Sequence, residues 1–430
     1  MRRLVWFLLL CCFWGDALAQ TKLSVRGAGK LYPIALPRLC LASGQSDAVR
    51  EIPAVVARDL ELSGYFNVID PNAYIETPGK CGGPDELAYS DWSVIGVEGL
   101  VRGVVHSAGS RTKVQLYLHD VQRRKVVLGK EYEGDASQMR RIAHRFANEI
   151  MLFFTGQRGV FGSQIAFTGR VGRFKELFVM DMDGSNVRQL TNDRGLAMSS
   201  SWNPTGSLLV YTSYRTRVPD LYIIDVASRH IKQVTKGPGL EIGAKFSGNG
   251  TQILTSRTVG KEYEIVLVNL DGMVLRRITS STGVIDVSPD WSPDYRRIVF
   301  CSNRAGGPQI YTMNADGSGV RRISFVSSNY CTSPKWSPKG DRLAFVCRVD
   351  AGFQIFTSNP DGSEALQLTS FGDNEDPSWS PDGRFIAFGT TFGRGRVSNI
   401  AIMTNEGANI QQITFGKSGD SEPAWGAVVP

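Results

Sequence analysis

Residues 378–390 read SWSPDGRFIAFGT, and close copies of this phrase recur along the second half of the chain. The copies start at Asp290 (DWSPDYRRIVFCS), Lys335 (KWSPKGDRLAFVC), Ser201 (SWNPTGSLLVYTS) and Lys245 (KFSGNGTQILTSR). A tryptophan, or a phenylalanine in its place, stands at 202, 246, 291, 336, 379 and 425, so the spacings are 44, 45, 45, 43 and 46 residues. A fixed period of this size is typical of stacked or radial repeat architectures.

Each repeat contains signals for four short antiparallel strands. The W-S-P-x-G phrase predicts a tight turn between the first two strands, and Asp-Gly pairs at 183, 271, 316 and 361 predict a second hairpin turn. Four short strands in about 45 residues are typical of a propeller blade. The 270 residues from 161 to 430 divide into six such units. Because this region begins inside a second strand and ends on a first strand, we expect the last strand to complete the first blade.

Residues 20–158 lack the repeat and predict a small α+β domain. We expect helices over 47–62, with a kink at Pro53, and over 138–154, with Phe153 in the buried stripe of the second helix. Strands are expected over 66–69, 97–105 and 113–118, and residues 31–39 suit an extended edge strand because of Pro33 and Pro37. The fold class is therefore a two-domain chain, with this domain at 20–158 and an all-β six-bladed propeller at 161–430.

Residues 1–19 have the pattern of a signal peptide. Arg2 and Arg3 precede an apolar run over 4–14, and Ala17-Leu18-Ala19 offers a cleavage site after Ala19. The pattern predicts export to the periplasm, without membrane insertion of the mature chain. The formal net charge is +7, but the basic residues are scattered, so nucleic acid is not expected as a partner.

The cysteine count of the mature chain is odd, so at least one thiol is free or pairs between chains. Cys40 and Cys81 are candidates for a disulfide because they alone precede the repeats. Buried, unpaired thiols are the alternative. The remaining mature cysteines are Cys301, Cys331 and Cys347.

The sequence does not indicate catalysis. Of four histidines, only His230 lies in the repeats, and no G-x-S-x-G elbow, phosphate loop or clustered set of metal ligands occurs. Residues 181–184 resemble the start of a calcium loop but lack the glutamate at its twelfth position. We expect no enzyme activity, no cofactor and no metal site.

The loops instead indicate a binding surface. Turns within a repeat are stereotyped, whereas the loops between the second and third strands, and between repeats, differ from one another. The loops between repeats are mostly acidic at 239–243, 284–290, 372–376 and 418–422, and the other varied loops are mostly basic. This pattern favours an acidic channel mouth ringed by positive charge, which suits a protein partner. The alternative is a set of ordinary solvated loops.

Taken together, these features resemble the TolB family, the periplasmic component of the Tol–Pal system of Gram-negative bacteria. Further similarities are SGYFNVI at 63–69, RIAH at 141–144, FTG at 154–156 and GVF at 159–161. The resemblance implies a non-catalytic adaptor that supports outer-membrane integrity and constriction during cell division. It also leaves room for other envelope proteins as partners.

The resemblance implies two binding regions. The lipoprotein Pal would bind at the channel mouth of the propeller, through Leu240, Glu241, Gly243, Asp286, Val287, Ser288, Asp290, Asn374, Glu375 and Asp376. TolA would bind the segment after the cleavage site, made of Thr21, Lys22, Leu23, Ser24, Val25 and Arg26. An extended segment of this kind can add a strand to a partner's sheet. The segment is more basic here than in the family, which leaves partner details open; a frayed terminus is the alternative.

Two other functions stay open. A periplasmic glycan-binding propeller would need exposed aromatic residues among the loops, for which Tyr214, Phe325, Tyr330, Phe353 and Phe392 are candidates. A propeller hydrolase or lyase would need a cluster of histidine, glutamate or arginine at the channel mouth, with strongly shifted pKa values.

Overall fold

The computed structural model describes residues 30–75, 81, 87–237, 239–350, 352–392, 397–416 and 419–428. The N-terminal domain is a mixed six-stranded sheet in the order β3-β1-β4-β5-β6, with β2 beside β4. Its elements are β1 (Tyr32–Ala35), β2 (Cys40–Ser43), α1 (Ala48–Ser63), β3 (Phe66–Val68), α2 (Tyr89–Val94), β4 (Gly99–Ala108), β5 (Arg111–Asp120), β6 (Lys125–Gly134) and α3 (Met139–Thr155), with short 3-10 turns at Pro71–Ala73 and Ala136–Gln138. No described helix has both the length and the apolar character needed to cross a bilayer.

The two long helices lie within one residue of their predicted bounds. Helix α1 buries Ile52, Val56 and Leu60 and ends where Gly64, at a φ of +73°, donates its N–H to the carbonyl of Glu61. Helix α3 buries Ile142, Phe146 and Ile150, as expected from their spacing, but Phe153 is 48% exposed. The placement of Phe153 in the buried stripe was therefore wrong, because Phe154 takes the buried position.

The prediction that residues 31–39 form an edge strand was also wrong. Strand β1 lies inside the sheet, parallel to both β3 and β4. The backbone of Pro33 faces the β4 side of the strand, where its carbonyl accepts the N–H of Glu98 at 3.0 Å. The hydrogen bonds on the β3 side come from the residues next to Pro33. The backbone N–H of Tyr32, for example, donates to the carbonyl of Tyr65. The missing N–H of proline thus leaves the pairing to β3 intact.

The propeller has six four-stranded sheets, as the period predicts. We name the strands of each blade a to d from the channel outward. Blade 1 combines β30 (Asp420–Val428) with β7 (Ser163–Val171), β8 (Phe174–Asp181) and β9 (Arg188–Gln189). Strand β30 pairs antiparallel with β7, with Trp425 opposite Ile165. The expected closure of the ring by its last strand is confirmed, and it removes an open sheet edge.

The other five blades follow in chain order. Blade 2 has β10 (Ala197–Trp202), β11 (Leu208–Ser213), β12 (Asp220–Asp225) and β13 (Ile231–Gln233), and blade 3 has β14 (Glu241–Phe246), β15 (Gln252–Val259), β16 (Glu262–Asn269) and β17 (Val274–Arg277). Blade 4 has β18 (Asp286–Trp291), β19 (Arg297–Ser302), β20 (Gln309–Asn314) and β21 (Arg321–Arg322). Blade 5 has β22 (Cys331–Trp336), β23 (Leu343–Val349), β24 (Gly352–Ser358) and β25 (Leu366–Gln367), and blade 6 has β26 (Asn374–Trp379), β27 (Phe385–Thr390), β28 (Asn399–Thr404) and β29 (Gln411–Gln412).

The repeated aromatic residue ends strand a and packs between blades. Trp379 lies in a core cluster with Val346 and Ile355 of blade 5 and with Phe388 of its own blade 6. Trp336 is packed in the same way between blades 4 and 5. A single blade cannot bury this side chain, so the recurring phrase stabilises the contact between blades.

The described cysteines form two disulfides and leave one thiol. Cys40 pairs with Cys81, which settles the two alternatives of the sequence in favour of the bridge. Cys331 pairs with Cys347, and the two residues lie directly opposite each other on β22 and β23. Cys301 is free and buried. The second bridge was not expected, because it depends on a cross-strand register that the spacing does not give.

The N-terminal domain packs against turns of blades 6 and 1. Asn409, in the c–d turn of blade 6, donates to the carbonyls of Glu61 and Leu62 at 3.1 and 3.2 Å. Arg140 of α3 donates to Asp183, in the c–d turn of blade 1, at 2.7 Å. One apolar cluster joins α1, α3 and these two blades. Because the c–d turns lie at the end of the propeller opposite the b–c and d–a loops, the domain leaves that other end uncovered.

A buried ionisable pair lies at this junction. His144 Nδ1 of α3 lies 2.7 Å from Asp59 Oδ2 of α1, and both side chains are almost fully buried. The charged groups that face the pair are Arg140 and Asp183. Burial raises the pKa of Asp59 to about 6, although the hydrogen bond from His144 opposes the rise. Burial lowers the pKa of His144, but the hydrogen bond to Asp59 and the nearby carboxylates outweigh burial and raise it above the ordinary value.

We expect the free energy of unfolding to fall as the pH rises from 5 to 8. Both pKa values are raised in the folded state, so the folded state binds protons more tightly than the unfolded chain and loses that stabilisation as they leave. The loss should be on the order of 1 kcal/mol. Denaturant unfolding at pH 5, 6.5 and 8 measures it. The double variant Asp59→Asn/His144→Gln, which removes both titrating groups, should flatten the dependence, and the exposed His106→Gln serves as the matched control. A stability that rises over this range, or a slope kept by the double variant, would contradict the assignment.

Candidate partner-binding face

The b–c and d–a loops together form one end of the propeller, which we call the loop face. Strand a of every blade starts at this face and runs along the channel towards the a–b turn. The first residue of strand a is buried in each blade. Among the predicted site residues, Glu241, Asp286 and Asn374 occupy this first position. The position along strand a therefore decides which predicted site residues a partner could contact.

Two acidic residues at the first position, Glu241 and Asp286, form ion pairs with arginines of strand b and the b–c loop. Arg257 Nε lies 3.0 Å from Glu241 Oε1, and Arg304 Nη2 donates to both carboxylate oxygens of Asp286 at 3.0 and 3.1 Å. Burial raises the pKa of Glu241 to about 7, while Arg257 acts in the opposite direction. The expected acidic mouth with a basic ring is thus partly cancelled, because the two sets of charges pair with each other.

The third residue of strand a forms a bulge in every blade. Its backbone is left-handed, with φ between +50° and +67°, at Ser199, Gly243, Ser288, Ser333, Asp376 and Glu422. Three of the predicted residues, Gly243, Ser288 and Asp376, belong to this ring. All six residues line a cavity of about 90 Å³ at the axis of the propeller.

The channel wall below the bulge carries charges of both signs. Lys245 Nζ lies 3.7 Å from Asp290 Oδ1, and the other oxygen of Asp290 accepts the backbone N–H of Trp336 at 2.8 Å. Burial and the neighbouring Lys335 lower the pKa of Lys245 to about 8. Burial also raises the pKa of Asp376 and of Glu422. Asp290 is therefore part of the channel wall, not of the rim where a partner would first make contact.

The remaining predicted residues are accessible. Glu375 is exposed, and Leu240 and Val287 are partly exposed. The segment Thr21, Lys22, Leu23, Ser24, Val25 and Arg26, predicted to bind TolA, lies outside the described residues. The predicted Pal-binding set thus divides into accessible residues, channel-lining residues and the buried side chains of Glu241, Asp286 and Asn374, which have no surface to offer in this conformation.

Exposed aromatic residues on the loop face were only partly anticipated. Phe371 and Phe415 are 74% and 77% exposed, and both follow the outer strand of a blade. Phe325, Tyr330 and Phe392, named as candidates for glycan contact, are exposed as well, whereas Tyr214 and Phe353 are half-buried. A large aromatic residue directly after the Thr or Ser that follows strand d is the signal that could have identified Phe325, Phe371 and Phe415.

The geometry gives little support to a catalytic or metal site. The shifted pKa values in the channel have burial as their first cause, and the cavity is far below the about 300 Å³ of a typical small-molecule pocket. Within the described ranges, Asp59, His144 and Asp183 are the one group of ligand atoms close enough for a metal ion. Arg140 already donates to Asp183 at 2.7 Å, and its positive charge opposes a cation there.

Comparison with known proteins identifies the family. The TolB beta propeller domain matches residues 153–429 and the TolB amino-terminal domain matches residues 25–127. The "Tol-Pal system protein TolB" of Bordetella pertussis is 35% identical, with 96% of this chain and 92% of the relative covered. The chain spans about half the length of the Syntrophotalea carbinolica protein of the same description (49%, 34% identical) and 64% of the TolB homolog of Chlorobium luteolum (33% identical).

A solved structure has the same fold. The crystal structure of TolB from Acinetobacter baumannii matches with a TM-score of 0.79 at 24% identity and covers 93% of this chain and 97% of that chain. Its match extends over both domains described above. On the sequence matches, which cover nearly the whole chain, this protein belongs to the TolB family.

Proposed function

We propose that this protein is a non-catalytic periplasmic adaptor of the Tol–Pal system. Its loop face would bind Pal, and its N-terminal segment would bind TolA, so that the protein supports outer-membrane integrity and constriction during division. The observation that carries the proposal is the set of exposed aromatic residues on the loop face, at the end that the N-terminal domain leaves uncovered. Large aromatic residues are the usual energetic centres of protein interfaces, whereas isolated ones in water have no stabilising role.

The loop face combines these aromatic residues with an accessible charge. Glu375 is exposed at the second position of β26, and Phe371 lies in the loop that leads into the same strand. An interface with an aromatic centre and a charged rim is typical of specific protein complexes. The buried pairs Glu241–Arg257 and Asp286–Arg304 would then hold the loops in place without touching the partner.

Calorimetric titration of the mature chain (residues 20–430) with the soluble domain of Pal from the same organism tests this function. We expect the double variant Phe371→Ala/Phe415→Ala to lose at least about 100-fold in affinity, since a central aromatic contributes about 2 kcal/mol or more. Met273→Ala/Val274→Ala removes a similar exposed apolar surface from blade 3 and should bind normally. No binding by the wild type, or full binding by the aromatic variant, would overturn the proposal.

The TolA contact is proposed from the family resemblance, which assigns it to residues 21–26 (TKLSVR). A short segment before β1 can pair with an exposed strand of a partner through main-chain hydrogen bonds. If docking and release of the segment are coupled to the loop face, its deletion should also change the affinity for Pal. A variant without residues 20–26, titrated with TolA and with Pal, tests the TolA contact and its coupling to Pal binding. Unchanged affinity for TolA would refute the TolA contact.

Glycan binding is retained as a second candidate because Phe325 and Phe392 are exposed at 66% and 52% on the loop face. Aromatic rings stack on sugar faces, so soluble peptidoglycan fragments are the appropriate ligand. Calorimetric titration measures the affinity of the protein for these fragments. A glycan affinity that falls in Phe325→Ala but not in Phe371→Ala would favour this function over Pal binding.

A further inference from the structure

A second candidate binding site lies on the N-terminal domain, away from the loop face. It is a pocket of about 200 Å³ where β1 begins, β5 ends and α3 ends. Its walls are aromatic and its remaining lining is mostly charged. The six residues on which the argument depends are Tyr32, Glu98, Asp120, Arg123, Phe153 and Phe154.

The aromatic wall is preassembled. The rings of Tyr32 and Phe154 have centroids 4.6 Å apart, and Phe153 stands perpendicular to Phe154 with centroids 5.1 Å apart. Phe154 is buried, whereas Phe153 is about half exposed at the rim. A fixed group of rings with one exposed member is a surface on which an organic group can stack without first ordering the side chains.

The charged part of the pocket carries an excess negative charge. Asp120 Oδ1 accepts the backbone N–H of Arg123 at 2.8 Å, and the guanidinium Nε of Arg123 lies 3.7 Å from the other oxygen of Asp120. Among the residues that the structure describes, the carboxylate of Glu98 has no hydrogen-bond donor and no ion-pair partner. Two carboxylates and one guanidinium leave one negative charge uncompensated.

The hydroxyl of Tyr32 lies in the field of these carboxylates. Burial, together with Asp120 and Glu98, raises the pKa of Tyr32 above its ordinary value. The ring is therefore a neutral phenol at physiological pH, and its face keeps the negative quadrupole that attracts cations. The aromatic faces and the carboxylate of Glu98 both favour a cation as the ligand of this pocket.

We propose that this pocket binds an organic cation, namely the ammonium or guanidinium group of a lysine or arginine side chain on a partner protein. The volume accommodates one such side chain, the aromatic walls contact its methylene groups and its charge, and Glu98 pairs with the cationic end. The proposal is independent of the Pal-binding face, which lies at the other end of the propeller.

The test follows the methyl groups of Val127, which line the pocket, by NMR of the mature chain with labelled valine. The titrants are tetramethylammonium, the neutral tert-butanol of similar shape, and acetate. We expect a saturable shift with tetramethylammonium alone. Glu98→Gln should weaken binding at least about tenfold, and so should Phe153→Ala, an exposed position at which folding is not at risk. Glu51→Gln on α1 is the matched control and should bind normally.

A second arm identifies the source of the cation. A five-residue peptide with lysine at its centre, flanked by glycines and blocked at both ends, is compared with its norleucine counterpart and with tetramethylammonium. The lysine peptide should bind at least about threefold more tightly than tetramethylammonium, because the methylene stem also contacts the rings. Equal or weaker binding would overturn the assignment to a protein side chain. The absence of any saturable shift, or unchanged binding by Glu98→Gln, would overturn the site itself.

Discussion

A chain that ends after Gly419 is expected to lose cooperative unfolding altogether. It lacks β30, so blade 1 retains three strands and the ring cannot close. Trp425 is buried, stacks with Phe385 at a centroid distance of 6.2 Å and donates its indole N–H to Ser163 Oγ at 2.8 Å. Losing this side chain alone costs about 3–5 kcal/mol. The whole strand, with its backbone hydrogen bonds to β7, should exceed the about 5–15 kcal/mol that stabilises a typical domain.

The control for this truncation is a chain that ends after Val428. It retains all of β30 as described, and we expect its thermal transition to match that of the full chain. Differential scanning calorimetry and near-ultraviolet circular dichroism report the transition and the packing of the aromatic residues. If the shorter chain showed a cooperative transition within a few degrees of the control, β30 could not be the strand that closes the ring.

Asp286→Ala is expected to destabilise the protein by about 3 kcal/mol, because it leaves the guanidinium of Arg304 without its buried partner. Asp286 is 1% exposed, and Arg304 also stacks on Phe300 and Tyr311, so the arginine cannot leave without losing these contacts. Asp286→Asn keeps an acceptor and should cost clearly less. Denaturant unfolding monitored by tryptophan fluorescence measures both variants.

Glu375→Ala is the matched control for Asp286. Both residues lie near the start of strand a on the loop face, but Glu375 is exposed, so its loss should change stability by less than about 0.5 kcal/mol. Equal destabilisation by the two variants would refute the distinction between buried and accessible acids. The distinction matters for binding experiments, since a loss of affinity in an Asp286 variant can come from displaced loops, not from a lost contact.

Most of the fold was predictable because its signals are local. The spacing of the aromatic residues gives the number of blades, Asp-Gly pairs fix hairpin turns, and glycine at the end of α1 allows a left-handed cap. The interior place of β1 and the bridge between Cys331 and Cys347 were not predictable in this way. Both depend on which strands become neighbours, and the sequence around Pro33 or Cys331 does not contain that information.

The candidate site was predictable only as a face. The varied loops indicated which end of the propeller could bind a partner, and that binding stays a prediction. Their charges also suggested contacts through Glu241 and Asp286, whose side chains are buried in this conformation. The arginines that neutralise them lie 16 and 18 positions further along the chain, and the pairing follows from the hairpin between strands a and b. Phe325, Phe371 and Phe415 do recur at spacings of 46 and 44 residues, close to the blade period. That spacing could have identified them, but only the order of the strands in each blade shows that all three follow strand d on the loop face.

The pairing of Ser163 with Val428 also has a consequence for biosynthesis. The ribosome makes the chain from its N-terminus, so the edge of β7 stays open while the five following blades are produced. During that time the incomplete ring exposes an unpaired strand edge that can pair with other chains, and proteases and chaperones can bind this open form. The surface on which the N-terminal domain packs is also incomplete at this stage, because that surface belongs to blade 6 as well as to blade 1. Closure of the ring and docking of the domain therefore both depend on segments made after the first five blades, and a molecule in which β30 does not pair with β7 remains open to degradation.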